Sequence, residues 1–110
     1  MAGKVIFKLQ PAATFTEEVA IPVPGGEPIK IDIIFRHKTR DERVDFMKRA
    51  AEATPENEID LFMEMVAGWG RVDTEFSREA VELLMQNYEG AVPAILAEFN
   101  MAHIRGRRKN

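Results

Sequence analysis

Residues 29–42 read Ile-Lys-Ile-Asp-Ile-Ile-Phe-Arg-His-Lys-Thr-Arg-Asp-Glu, and the spacing of the apolar side chains changes within this stretch. Up to Phe35 an apolar residue recurs at every second position, which is the period of a β-strand. Thr39 and Glu42 then stand at the spacing of a capping box, in which each side chain accepts a hydrogen bond from the other residue's backbone. The stretch therefore predicts a sheet that ends near residue 36 and helices from residue 39.

Two apolar runs precede this stretch, and both alternate as strands do. The first covers residues 5–9 and ends before Pro11, and the second covers residues 19–23. Residues 24–28 read Pro-Gly-Gly-Glu-Pro, a dense turn signal, so the second run and the strand after it should form a β-hairpin. Pro22 has no N–H for a ladder, which predicts that its strand lies at a sheet edge, where a partner's strand can add.

A second helix is expected after the one that the capping box starts. The pair Thr54-Pro55 is a start signal, with an N-cap followed by proline in the first turn. An apolar stripe at helical spacing follows over residues 59–69 and stops where two glycines flank a tryptophan. We expect the large ring to be anchored in the core at this helix end. The residues predicted to be structural here are Trp69, Gly68 and Gly70.

The last two helices follow from a cap at Ser77 and from the apolar spacing after Gly90, which should end the third helix. The fourth should run from Ala91 to about Ile104. The predicted fold is therefore α+β, with a small N-terminal antiparallel β-sheet followed by a bundle of about four α-helices. We expect one domain over residues 1–110, divided into a sheet part (1–36), a helical part (39–104) and a flexible basic tail (105–110).

Composition narrows the class of protein. The 110 residues are 45% hydrophobic and 30% charged, which is ordinary for a folded domain. The absence of cysteine excludes disulfides, thiolate metal ligands and a cysteine nucleophile. No apolar run reaches the roughly 20 residues of a membrane span, and the N-terminus lacks the apolar stretch of a signal peptide. The expected location is the cytoplasm.

Charge is distributed unevenly along the chain. Residues 1–51 carry a net charge of +2, residues 52–98 a net charge of −9, and residues 99–110 a net charge of +4. An acidic helical part with a short basic tail bears on the choice of partner more than on the fold. A body this acidic repels phosphates, so a nucleic-acid partner is not expected.

The titratable residues do not specify catalytic chemistry. His37 and His103 are far apart in sequence, and neither has the partners that acid–base catalysis needs, so both are interpreted as surface or capping histidines. A partly charged imidazole at His103 would suit the end of the last helix. The many carboxylates are typical of a solvated helix face. No enzyme activity, metal or cofactor is expected.

The six methionines are the candidates for a binding surface, because exposed methionine adapts to varied apolar partners. On the predicted helices, Met65 and Met101 should lie away from the centre of the apolar stripes. The alternative is that such side chains fill gaps at the edge of the core. The candidate binding residues are Met65, Met101 and Met47.

Two stretches resemble the tail assembly chaperones of long-tailed phages and prophages. Residues 21–27 read Ile-Pro-Val-Pro-Gly-Gly-Glu and lead into an alternating strand. Residues 68–110 contain, in order, Gly-Trp-Gly-Arg-Val-Asp, Glu-Phe-Ser-Arg-Glu, Asn-Tyr-Glu-Gly-Ala-Val-Pro-Ala-Ile and Arg-Arg-Lys-Asn. With the N-terminal sheet, the resemblance covers most of the chain.

The resemblance implies a function in binding rather than catalysis. Such chaperones bind the tape measure protein before the tail tube polymerises, keep it soluble, and are absent from the finished virion. The family often makes a longer product by ribosomal frameshifting, whose extension is thought to recruit the tail tube protein. If Lys109-Asn110 are encoded AAA-AAC after a codon ending in A, the message carries a slippery heptamer. The tail proposed as a linker or partner-binding segment contains Arg105, Arg107, Arg108 and Lys109.

The sequence leaves two alternative functions open and also predicts self-association. One alternative is a small nucleic-acid-binding regulator that uses the basic tail, which retention on heparin would reveal. A second is a small enzyme, which would need a cleft with perturbed titratable groups. Self-association to a homo-oligomer is also expected, through the edge strand near Pro22 or through methionines outside the core.

Overall fold

The computed structural model of the chain describes residues 3–106, and in this part it contains three strands and four helices. The α+β fold is confirmed, but one of the three strands lies inside the half that was expected to be helical. The elements are β1 (Thr14–Ile21), β2 (Ile29–Arg36), α1 (Arg40–Ala51), α2 (Glu58–Met65), β3 (Val66–Gly70), α3 (Arg78–Asn87) and α4 (Ala91–Arg105).

The predicted hairpin is present. β1 and β2 pair antiparallel along their full lengths, from Thr14 opposite Arg36 to Ile21 opposite Ile29. Gly25 supplies the positive φ of 74° that the turn needs, a conformation that costs glycine little. The strand order is β1-β2-β3, so β1 is an edge strand, as expected from the proline that follows it.

The first predicted strand, over residues 5–9, is wrong for the described chain. Between residue 3, where the described part begins, and Thr14 no strand forms. The apolar side chains in this segment are almost fully exposed, at 97% for Val5, 78% for Ile6, 86% for Phe7 and 92% for Leu9. Alternation gives this segment the pattern of a strand, but a strand also needs a neighbouring edge, and the segment does not lie on one. We call residues 3–10 the N-terminal arm.

The second predicted helix also needs correction, because α2 ends at Met65 and the chain continues as β3. β3 pairs antiparallel with β2, so Trp69 lies opposite Ile33 and Gly68 opposite Ile34. A Cβ at Gly68 would lie 3.4 Å from Cδ1 of Ile34, so glycine suits this close pairing. Two causes favour a strand over the helix that the apolar spacing predicts. Gly68 and Gly70 disfavour a helix, and the open edge of β2 supplies backbone partners for a strand.

The helix boundaries confirm two caps and correct two others. The capping box is present, with the Glu42 N–H 3.2 Å from the Thr39 hydroxyl and the Thr39 N–H 2.9 Å from the Glu42 carboxylate. Ser77 caps α3 by accepting from the N–H of Ala80 at 3.0 Å. Thr54 does not start α2, because its N–H donates to the Asn57 side chain at 2.7 Å and the helix begins after that turn. Gly90 precedes α4 instead of ending α3.

The core lies between one face of the sheet and the helices. The rings of Phe35 and Phe46 both contact Phe99 of α4, with centroids 5.4 Å apart in each pair. Ile33 and Ile95 are fully buried in the same cluster. Because β2 is paired on both edges and covered by helices, it is the most enclosed strand of the protein.

Candidate functional site

Only one of the three candidate methionines is exposed. Met65 is 2% exposed, so the expectation that it lies outside the core is wrong. The face of α2 that meets the sheet includes Phe62 and Met65, three residues apart, which places both side chains inward. Met47 is half-buried and packs against the core. Met101 is 46% exposed and remains available to a partner.

Met101 borders a groove between the edge of β1 and the helix α4, which we call the edge groove. Its volume is about 390 Å³. Small side chains on α4 leave this space open beside the strand. The lining residues are Glu18, Val19, Ala20, Lys30, Ala94, Ala97, Glu98 and Met101.

The basic tail begins at the end of α4. Arg105 pairs with the carboxylate of Glu98, which lies about two turns earlier on α4. The first tail residue therefore belongs to the folded helix and not to a flexible segment. Arg107, Arg108 and Lys109 lie outside the described residues, and their role as a linker or partner-binding segment stays a prediction.

Trp69 lies on β3, and its indole contacts two residues of the loop that follows the strand. The indole N–H donates to the carbonyl of Thr74 at 2.8 Å. The ring of Phe76 meets it edge-on, with centroids 5.1 Å apart. These contacts fix the loop that connects β3 to α3, which supports a structural role, although the role is in a strand and not at a helix end.

A second concave surface lies beside this loop, and we call it the α3 cleft. Its volume is about 210 Å³. Leu83 is 59% exposed and Tyr88 is 36% exposed, so two large apolar side chains of one short segment face solvent. The lining residues are Trp69, Val72, Asp73, Thr74, Ala80, Leu83, Leu84, Asn87 and Tyr88.

The α3 cleft was missed by the sequence reasoning, although the sequence contains a signal for it. The apolar stripe of α3 places Val81 and Leu84 toward the protein, and Leu83 adds an apolar residue outside that stripe. Exposed carboxylates accompany it, with Glu79 and Glu82 on α3. An exposed leucine among acidic residues is typical of a binding surface that stays soluble when empty.

The two histidines, distant in sequence, are neighbours in the fold. Their ring centroids are 5.4 Å apart. Nε2 of His103 accepts from the N–H of Lys38 at 3.1 Å, and Nδ1 therefore donates to the carbonyl of Phe99 at 2.7 Å. Burial lowers the pKa of His103, so the ring is neutral near pH 7 and not partly charged as expected. Because both of its nitrogens bind the backbone, His103 joins the end of β2 to α4.

Glu64 is a carboxylate whose pKa is strongly lowered, and its partners are structural. Glu64 accepts from Arg49 at 2.7 Å and from Lys38 at 3.1 Å. The hydrogen bond from Arg49 is the main reason that the pKa of Glu64 falls to about 2. This ion pair ties α1 to α2 at the surface. Among residues 3–106, no group of three or more histidines or carboxylates is arranged to hold a metal ion.

The described residues form a folded body with an exposed apolar cleft, an open sheet edge and an exposed arm, which are surfaces that other chains can contact. The sequence profile of the phage tail assembly chaperones matches residues 1–110, the whole chain, and the chain belongs to that family. No curated protein and no solved structure matches it. None of the helices in residues 3–106 combines the length and apolar character needed to cross a bilayer.

Proposed function

We propose that this tail assembly chaperone binds the tape measure protein and keeps it soluble until the tail tube polymerises, and that the α3 cleft is the client-binding site. Membership of the family supports the role in tail assembly. The observation that carries the choice of site is the exposure of Leu83 and Tyr88 at one cleft. A cleft of this kind takes one or two apolar side chains from one face of a client helix.

The size of the cleft fits a chaperone that releases its client. Fully burying a leucine side chain contributes roughly 1.5–3 kcal/mol, so a contact built on Leu83 and Tyr88 is modest and reversible. Residues 52–98 carry a net charge of −9, which attracts basic client segments and keeps the unloaded chaperone soluble. Many such contacts along a long client hold it in solution without a tight complex at any one of them.

Coexpression with the tape measure protein of the same phage tests both the function and the site. The readout is the fraction of tape measure protein that stays soluble and copurifies with the chaperone. We expect wild type to keep it soluble and Leu83→Asp to lose most of this effect, because an apolar client side chain that enters the cleft would strip water from the carboxylate. Val44→Asp is the matched control, since Val44 is also an exposed apolar residue on a helix but lies outside the cleft.

A third variant, Met101→Asp, compares the α3 cleft with the surface that the methionines predict. Retention by Leu83→Asp together with loss in Met101→Asp would move the client site to the edge groove and contradict our choice of cleft. Retention by none of the chaperones, wild type included, would contradict the function itself. Met47, half-buried, and Met65, buried, are not expected to contact the client.

The remaining parts of the proposal follow from the resemblance. The chaperone acts in the host cytoplasm, has no catalytic activity and is absent from the mature virion. A longer product that shares this N-terminus, made by frameshifting near Lys109, recruits the tail tube protein. Mass analysis of the products of the native gene with its downstream sequence would reveal the longer chain.

A further inference from the structure

The N-terminal arm is apolar but has no covering in the described chain. Four of its side chains, from Val5 to Leu9, are among the most exposed large hydrophobic residues of the protein. The arm alternates like β2, contains two lysines and no acidic residue, and ends before Pro11. A segment with this pattern forms a strand once an edge is supplied.

The outer edge of β1 is such an edge. The N–H of His37 donates to the carbonyl of Ala13 at 2.9 Å, and the register of β1 with β2 places these two residues opposite each other. Hydrogen-bonded and non-hydrogen-bonded pairs alternate along an antiparallel ladder. Thr16, Glu18 and Ala20 therefore direct their backbone N–H and C=O groups away from β2, toward the outer edge. Within residues 3–106, β1 pairs only with β2.

The edge groove gives an added strand room for its side chains. Ala94 and Ala97 of α4 face the edge of β1 across a volume of about 390 Å³. A strand laid along the edge would place alternate side chains against these alanines and Met101. An edge strand that lies next to a helix across a groove is a known arrangement for peptide binding by strand addition.

We propose that the N-terminal arm of one copy adds as a fourth strand to the outer edge of β1 in a second copy, with its apolar side chains in the edge groove. Both halves of the contact are present in the same chain, so two copies can exchange arms around a two-fold axis and bury both. The lengths agree, since the arm spans residues 3–10 and β1 has eight residues. Lys4 and Lys8 alternate with these apolar residues, so they would lie on the opposite face of the added strand, toward Glu18. Glu18 also has Lys30 and Arg71 as partners.

Sedimentation of the full chain with variants in each half tests this interface. Phe7→Asp places a charge in the arm, with Val44→Asp as its matched control. Ala20→Pro removes an outward N–H from β1 without touching the ladder to β2, where proline is tolerated, and Ala20→Ser is its control. We expect wild type and both controls to self-associate. The Phe7→Asp and Ala20→Pro variants should self-associate at least about tenfold more weakly.

Cross-linking gives a second measurement that does not depend on the proline variant folding. The chain has no cysteine, so mixing the single variants Val5→Cys and Ala97→Cys allows a disulfide only between two copies. A covalent dimer from this mixture, absent when Val5→Cys is mixed with Val44→Cys, is the expected result.

Three outcomes would overturn the proposal. The first is a strict monomer at high micromolar concentration, and the second is an oligomer that survives both Phe7→Asp and Ala20→Pro. The third is loss of tape measure retention in Ala20→Pro with no self-association in wild type, which would assign the edge groove to the client. The first two outcomes leave the binding of the tape measure protein at the α3 cleft untouched, so this proposal can fail while the proposed function stands. The third outcome would count against both the arm exchange and the choice of the α3 cleft as the client site.

Discussion

The N-terminal arm and β2 have nearly the same sequence pattern and opposite surroundings. Both alternate apolar residues over a short run, and each contains one phenylalanine, Phe7 or Phe35. β2 is paired on both edges and its core face is buried from Ile31 to Phe35, whereas the apolar side chains of the arm are almost fully exposed. The difference shows that alternation predicts the capacity to form a strand, while a neighbouring edge decides whether the strand forms.

The largest expected effect is on the free energy of unfolding, and it distinguishes Phe35 from Phe7. Phe35→Ala should destabilise the fold by about 3–5 kcal/mol, because it opens a cavity at a fully buried position. Phe7→Ala should change the free energy of unfolding by less than about 0.5 kcal/mol, as is usual for an exposed residue. Urea unfolding at low protein concentration, where copies do not associate, measures both.

Equal destabilisation by the two substitutions would contradict this contrast. It would mean that the arm is packed against its own chain in solution, and that the difference between the two segments is smaller than their exposure indicates.

The next effect concerns β3, the strand that completes the second edge of β2. Trp69→Ala should cost about 3 kcal/mol, at the lower end for aromatic truncation, because the ring is only partly buried. Trp69→Phe should cost about 1 kcal/mol for the lost hydrogen bond to Thr74. Thermal unfolding measures both changes, and a Trp69→Ala variant that melts like wild type but loses client binding would show that the tryptophan is a binding residue.

The smallest effect is on pH dependence at the end of β2. Burial lowers the pKa of His103 in the folded state, with smaller contributions from His37, Arg43 and Lys38. The unfolded chain then binds more protons, so stability is complete above about pH 6.5, the ordinary histidine pKa, and falls as the pH drops below it. His103→Gln should remove this loss, and His37→Gln should retain most of it, since burial of His103 is unchanged.

The free energy of unfolding of wild type and of each variant, measured between pH 7 and pH 5, tests this prediction. A wild type whose stability stays constant or increases as the pH falls over this range would contradict a depressed pKa at His103.

Local signals in the sequence predicted much of the fold. The capping box at Thr39, the cap at Ser77 and the turn at Gly25 each depend on neighbouring residues, and all three were correct. β3 could not be predicted in this way, because its reason for being a strand is the free edge of β2, more than 30 residues earlier. Spacing alone favoured a helix there, and tertiary pairing decided otherwise.

The candidate site was harder to predict than the fold. The spacing predicts Met65 away from the stripe only if Val66 belongs to the helical face. Val66 instead begins β3, and the buried face of α2 contains Phe62 and Met65. The proximity of His37 and His103 depends on β2 meeting α4, which no local pattern reveals. Leu83 was the detectable signal, since its place outside the stripe of α3 is visible in the sequence.

Hydrogen exchange of the chaperone, alone and with its tape measure protein, tests most directly the claim that its open surfaces are completed by other chains. We expect the client to slow amide exchange over residues 78–88, around the α3 cleft, and to leave residues 31–35 of the enclosed strand unchanged. Leu83→Asp should abolish the slowing. Demonstrated binding that leaves exchange over residues 78–88 unaltered would contradict the account.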